Sequence, residues 1–180
     1  MVYTQTQIKE SRGEGRRLTE GLSRGWRPEP IRVPIQLQPG EHCYAHGNAQ
    51  VWQFLEGDSS YVHKSRLGFG LVGMAMVAGT AVGNTARKSR AAKEAAPRFR
   101  PVEQGPFYLT DRRFAIQGQT QWVDLWFSEI RMASCDSVGI TLHISGLPPT
   151  QLQMWPIDYF FALYHFLANG EIIEIPPDPV

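Results

Sequence analysis

Two cysteines, Cys43 and Cys135, are too few for a disulfide framework, so a reducing cytoplasm is the expected setting. No apolar stretch follows the basic N-terminus within the first 34 residues, which leaves no secretory signal to read there. There is no P-loop. The letters GFGLVG, from Gly68 to Gly73, spell a dinucleotide fingerprint without its context. Lys64-Ser65-Arg66 is a poor strand, and the acidic residue needed further on falls among arginines and lysines. Asp111, Asp124, Glu129, Asp136 and Asp158 include no pair at a spacing diagnostic of acid–base chemistry. Asp124 and Glu129 are expected to cap turns or to pair with Arg112, Arg113 or Arg131.

Nucleophilic and metal chemistry find little more. His42, Cys43 and His46 make an H-C-x-x-H cluster, but a zinc site wants four spaced ligands. On a strand, His42 and Cys43 would also point to opposite faces. Cys135 has no base beside it in sequence, and His143 and His165 could reach it only through the fold. A structural thiol is the plainer reading. No catalytic residue, cofactor site or metal site is therefore expected. Trp26 and Trp155 are the two tryptophans expected to be exposed.

What the chain does have is a run of twenty uncharged residues, Leu67 to Ala86, bounded by Arg66 on one side and by Arg87, Lys88 and Arg90 on the other. As a helix it would be about 30 Å long, the thickness of a bilayer's hydrocarbon core. Glycines at 68, 70, 73, 79 and 83 weaken such a helix in water by up to ~1 kcal/mol each. Ala75, Gly79 and Gly83 fall four apart, the small-residue spacing of helices that pack closely in lipid. Good helix formers follow as far as Ala96, where Pro97 stops them.

The net charge of +1 conceals a strong asymmetry. Residues 63–100 carry eight Lys/Arg against one Glu, and residues 101–180 carry three against nine acids. The basic block suits an anionic membrane surface, and would equally meet nucleic acid or the protein's own acidic half. We read an anionic membrane surface or another protein, a second copy included, as the partner, with nucleic acid not favoured. Lys64, Arg66, Arg87, Lys88, Arg90 and Lys93 are the lipid-binding candidates. Leu67, Phe69, Leu71, Val72, Met74, Met76 and Val77 are the membrane-contacting ones. On this reading the protein works in the cytoplasm, at the inner face of the membrane.

The rest of the chain divides around that run. Residues 1–36 are rich in Arg, Glu, Gly and Gln, with little apolar clustering, and are expected to be a disordered basic tail. Gln38-Pro39-Gly40 signals a turn, and residues 43–57 suggest two short strands joined at Gly47-Asn48. From Gly105 the pattern is β throughout. PFYLT and RFAIQG flank Asp111-Arg112, TQWVDLWF and IRMASC follow, and then GITLHIS and TQLQM. In GITLHIS, Ile140, Leu142 and Ile144 alternate with polar residues, giving one buried face. Ile157, Phe160, Phe161, Tyr164, Leu167 and Ala168 carry helical spacing between Pro156 and Gly170.

The order of these segments, with GPFYLT, the LTDRRF turn (Leu109 to Phe114), QWVDLW, SEIRMAS, GITL and a terminal aromatic helix, resembles the pleckstrin-homology-like and GRAM-like domains of bacterial proteins. The likeness runs from Gly105 to Gly170 and more loosely over residues 37–56. It implies a mainly β fold: a small barrel of about seven strands capped by a C-terminal helix. Residues 37–62 and 105–175 would form that barrel, with residues 63–104 a Gly/Ala-rich helical insertion. The fold hosts lipid-headgroup binding, protein docking and purely structural roles. The resemblance thus implies a non-enzymatic module that meets membrane lipid through its insertion. The alternative is a soluble interaction module with the insertion packed on the barrel or on another copy.

Overall fold

A computed structural model describes residues 3–55 and 96–178. Seven antiparallel strands form one sheet: β1 (Cys43–Leu55), β2 (Arg98–Thr110), β3 (Arg113–Gln117), β4 (Trp122–Trp126), β5 (Ile130–Cys135), β6 (Ile140–Ile144) and β7 (Thr150–Met154). Their order across the sheet is β4-β3-β2-β1-β7-β6-β5. Consecutive strands β4 and β5 therefore sit at opposite edges, yet only the 3-10 turn Phe127–Glu129 joins them. So short a link can serve both edges only if the sheet curls until they approach at one corner. The result is a half-barrel, mainly β, with a C-terminal helix in its hollow.

That helix, α2 (Ile157–Asn169), runs between the expected boundaries, with Pro156 at the N-cap. Gly170 closes it with φ of 71°, a left-handed conformation that costs glycine little. Its aromatic face fills the concave side of the sheet. Phe160 meets Phe107 edge-on with ring centroids 4.8 Å apart, and Tyr164 packs against Phe114 and Phe127 at 5.4 and 5.0 Å. Ala45, Gly47 and Ala49 on the inner face of β1 leave room for these rings.

Gly47 decides a correction. The strand pair expected around Gly47-Asn48 is one continuous strand, β1, whose Gly47 lies opposite Phe107 on β2. A Cβ there would stand 2.9 Å from the Phe107 ring. The glycine makes space for an aromatic ring rather than a turn. A second correction concerns the end of the insertion: residues 98–104, assigned to it from sequence, belong to β2. Pro101 sits opposite Trp52 at a register shift in the β1–β2 ladder, and a bulge is where a sheet tolerates a proline.

The N-terminal tail is the third correction. Residues 5–23, expected to be disordered, form α1 (Gln5–Ser23) with a capping box: Thr4 Oγ1 accepts from the Gln7 amide while Gln7 Oε1 accepts from the Thr4 amide. The helix buries Ser11, Gly15, Leu18 and Leu22 and lies on α2 as a further layer. Contact is close, because a Cβ at Gly15 would stand 2.9 Å from Asp158 Cβ. Small side chains on this face, rather than large apolar ones, let the two backbones approach.

After α1 the chain crosses to the convex side. Ile31, Val33, Ile35 and Leu37 alternate with exposed neighbours and cover Cys43, Tyr108 and Ala115. The Ile31 amide donates to the Cys43 carbonyl at 2.8 Å. The expected turn follows: the Glu41 amide donates to the Gln38 carbonyl at 2.9 Å, with Gly40 at φ 73°. Pro39 then Gly40 is the type II pattern.

Candidate functional site

Register places the two ends of the long β1–β2 connection side by side. Leu55, the last residue of β1, pairs with Arg98, the first of β2. One position further in, Phe54 and Phe99 face each other edge-on with centroids 5.4 Å apart, and Phe54 remains 40% exposed. Arg98 is exposed beside them. The neck from which the uncharged run departs is thus an aromatic pair flanked by arginine. The lipid-binding candidates Lys64, Arg66, Arg87, Lys88, Arg90 and Lys93 lie outside the described residues, as do the membrane-contacting candidates Leu67, Phe69, Leu71, Val72, Met74, Met76 and Val77. Among the described residues, no helix is long and apolar enough to cross a membrane.

A charged cluster sits on the convex face. Arg113 Nε and Nη2 donate to the two carboxylate oxygens of Glu41 at 2.8 and 3.0 Å, and Nη1 lies 3.1 Å from Asp124 Oδ1. The guanidinium also stands over the Trp126 ring, 4.6 Å from its centroid. Asp124 therefore pairs with Arg113, one of the partners expected for it. Burial by itself would raise the Glu41 carboxyl. Hydrogen bonds from the Gln38 amide, Arg113 and Thr110 and the arginine's charge outweigh it and hold the group below its ordinary value. With both charges hydrogen-bonded and almost no solvent access, the cluster is a clasp fastening the 31–41 segment to β3 and β4. It offers no open position to a substrate.

The surroundings of both cysteines disfavour the thiolate. Cys43 is fully buried, and its thiol donates to the Ala45 carbonyl at 3.3 Å. Burial pushes it up to about 11. Burial also raises Cys135, with Asp158 and Asp136 adding to the effect. Reactive thiols need the reverse shift. No group of three or more His, Cys, Asp or Glu is arranged for a metal among the described residues.

Trp26 and Trp155 are both exposed, and Trp155 sits at a recess that the sequence does not announce. The recess has a volume of about 660 Å³ and opens between Trp155, Tyr3 and the turn after β3. The Tyr3 hydroxyl donates to the Met154 carbonyl at 3.3 Å, and its ring lies 5.6 Å from that of Trp155. Opposite, the Glu103 carboxylate accepts from the Gln119 and Thr120 amides at 2.8 and 3.3 Å, and from the Thr120 hydroxyl. It thereby fixes the turn that forms the other wall.

No protein-family model, curated protein or solved structure matches this chain.

Proposed function

We propose that this chain is a non-enzymatic, pleckstrin-homology-like module that associates with anionic membrane lipid through the apolar, basic-flanked segment between β1 and β2. The pairing of Leu55 with Arg98 carries the reading. Both ends of the segment leave one sheet at one point, so both lie on the same side of any bilayer. A single pass would tear the sheet across the membrane, and two passes need about 40 apolar residues where only twenty uncharged ones exist. That leaves a shallow interfacial or re-entrant association, or packing against other protein, and our reading takes the first. The exposed Phe54–Phe99 pair and Arg98 at its base are residue types suited to the headgroup boundary. The succession of seven strands and a terminal helix supports the likeness to the pleckstrin-homology family, whose members include lipid binders.

Membrane fractionation of the full chain against a variant lacking residues 67–86 tests this. The full chain should sediment with membranes, and the shortened one should not. In liposomes, Arg87→Gln, Lys88→Gln and Arg90→Gln together should weaken binding to anionic lipid, most at low salt, since each such charge contributes about 1 kcal/mol. Equal, salt-insensitive binding to neutral and anionic vesicles overturns the proposal. The alternative, a protein-docking module, is favoured by the two edges of the half-barrel, β4 and β5, which pair with no further strand among the described residues. There Trp122 on β4 and Met132 on β5 are exposed, and an unpaired edge can take a strand from a partner.

A further inference from the structure

We propose that the recess beside Trp155 is a binding site for a neutral saccharide. Among the described residues lining it, none is Asp, Glu, Lys, Arg or His. A phosphate or carboxylate would find no counter-charge there, which sets aside nucleotides and anionic headgroups, and the carboxylate behind the wall, Glu103, is buried and taken up by the Gln119 and Thr120 amides. The polar groups that line it are instead amides. Asn48, Gln104, Gln117 and Gln119 are exposed, and their side chains make no hydrogen bond among the described residues. Each amide offers two donors and an acceptor with two lone pairs. That mixture suits hydroxyls, which also donate and accept. The remaining wall is aromatic: Trp155 is exposed there, and the buried Tyr3, fixed by its bond to the Met154 carbonyl, lies tilted against it. A flat ring of that kind covers the C–H face of a pyranose. The volume falls in the ordinary range for small-ligand sites.

A peptide fits less well. On the floor of the recess, Ala49 and Gln50 of β1 are already paired with β2 on one side and β7 on the other. An added strand finds no free edge there. The site lies apart from the Leu55–Arg98 neck and does not depend on what the intervening segment meets.

Titration of the full chain with maltotriose, cellotriose and chitotriose, followed by calorimetry and tryptophan fluorescence, tests the proposal. At least one of the three should bind saturably. Trp155→Ala should abolish the binding, and Gln119→Ala should weaken it about tenfold, the worth of one well-placed hydrogen bond. The Gln119 side chain is exposed and makes no hydrogen bond among the described residues, so its variant reports on binding even if Trp155→Ala disturbs folding. A trimer of galacturonic acid should bind far more weakly than the neutral sugars. Three results overturn the assignment: no neutral trisaccharide binding at tens of millimolar, affinity unchanged in Gln119→Ala, or equal binding of the charged trimer.

Discussion

The two faces of the sheet are covered by different physics. On the concave side, α2 brings Phe160, Leu163 and Tyr164 against Phe107, Phe114 and Leu152, all of them buried. On the convex side, residues 31–37 cover a smaller set among the described residues, Cys43, Tyr108 and Ala115, and one buried arginine with two carboxylates clasps that cover in place. The first cover rests on apolar area, which is non-directional and indifferent to pH. The second rests on charges whose removal one at a time leaves an uncompensated partner. Each cover should therefore fail under conditions that spare the other.

Truncation of the concave packing has the largest expected effect. Phe160→Ala removes a ring that meets Phe107 and Tyr159 and should cost about 3–5 kcal/mol in urea unfolding. Next comes the clasp. Glu41→Gln should cost about 3 kcal/mol, the lower end for breaking a buried pair, because Arg113 keeps Asp124 and the Trp126 face. If Glu41→Gln cost nothing, the convex cover would be held by its four apolar residues alone and the contrast would collapse.

Acid should sharpen the contrast further. The Glu41 carboxyl is held below its ordinary value in the folded protein. Its contribution to stability is therefore complete above that ordinary value and is lost as pH falls through the folded one. Stability should decline on acidification across the carboxylate range, and the decline should be shallower in Glu41→Gln. Phe160→Ala should lower the whole stability–pH curve without changing its shape. Unfolding midpoints measured between neutral pH and the carboxylate range check both outcomes.

The concave cover was legible in the sequence and the convex one was not. Helix α2 announces itself by Ile157, Phe160, Phe161 and Tyr164 at helical spacing between Pro156 and Gly170, because what buries it is large and apolar. The turn at Asp111-Arg112 and the alternation of Ile140, Leu142 and Ile144 were equally plain. Ile31, Val33, Ile35 and Leu37 also alternate, but prolines at 28, 30 and 34 and the polar stretch before them hid a pattern that needs no ladder of its own. Helix α1 carries little apolar signal because its contact face is Ser11 and Gly15 before it is Leu18 and Leu22. Only the Thr4-to-Gln7 capping box could have revealed it. At the recess, Trp155 stands out in the sequence, whereas Tyr3, Asn48, Gln104 and the Gln117–Gln119 turn lie far apart and meet only through the pairing of β1 with β2 and β7 and of β2 with β3.

The smallest effect concerns how α1 holds α2. Helix α2 begins at Pro156, which supplies no side-chain cap, so the first amides of the helix need a partner from elsewhere. Ser11 of α1 provides one: its Oγ accepts from the Asp158 amide at 2.9 Å and donates to Asp158 Oδ2 at 2.6 Å. A residue on one helix thus caps another, and it does so at 2% exposure, with little water to replace it. Ser11→Ala should cost about 1–2 kcal/mol, as for loss of a cap, well below Phe160→Ala. Hydrogen exchange should show the loss concentrated in α1 and the first turn of α2, with the strands protected as before. A loss as large as that of Phe160→Ala, spread evenly over the sheet, would make α1 part of the same cooperative core as α2 rather than a layer added behind it.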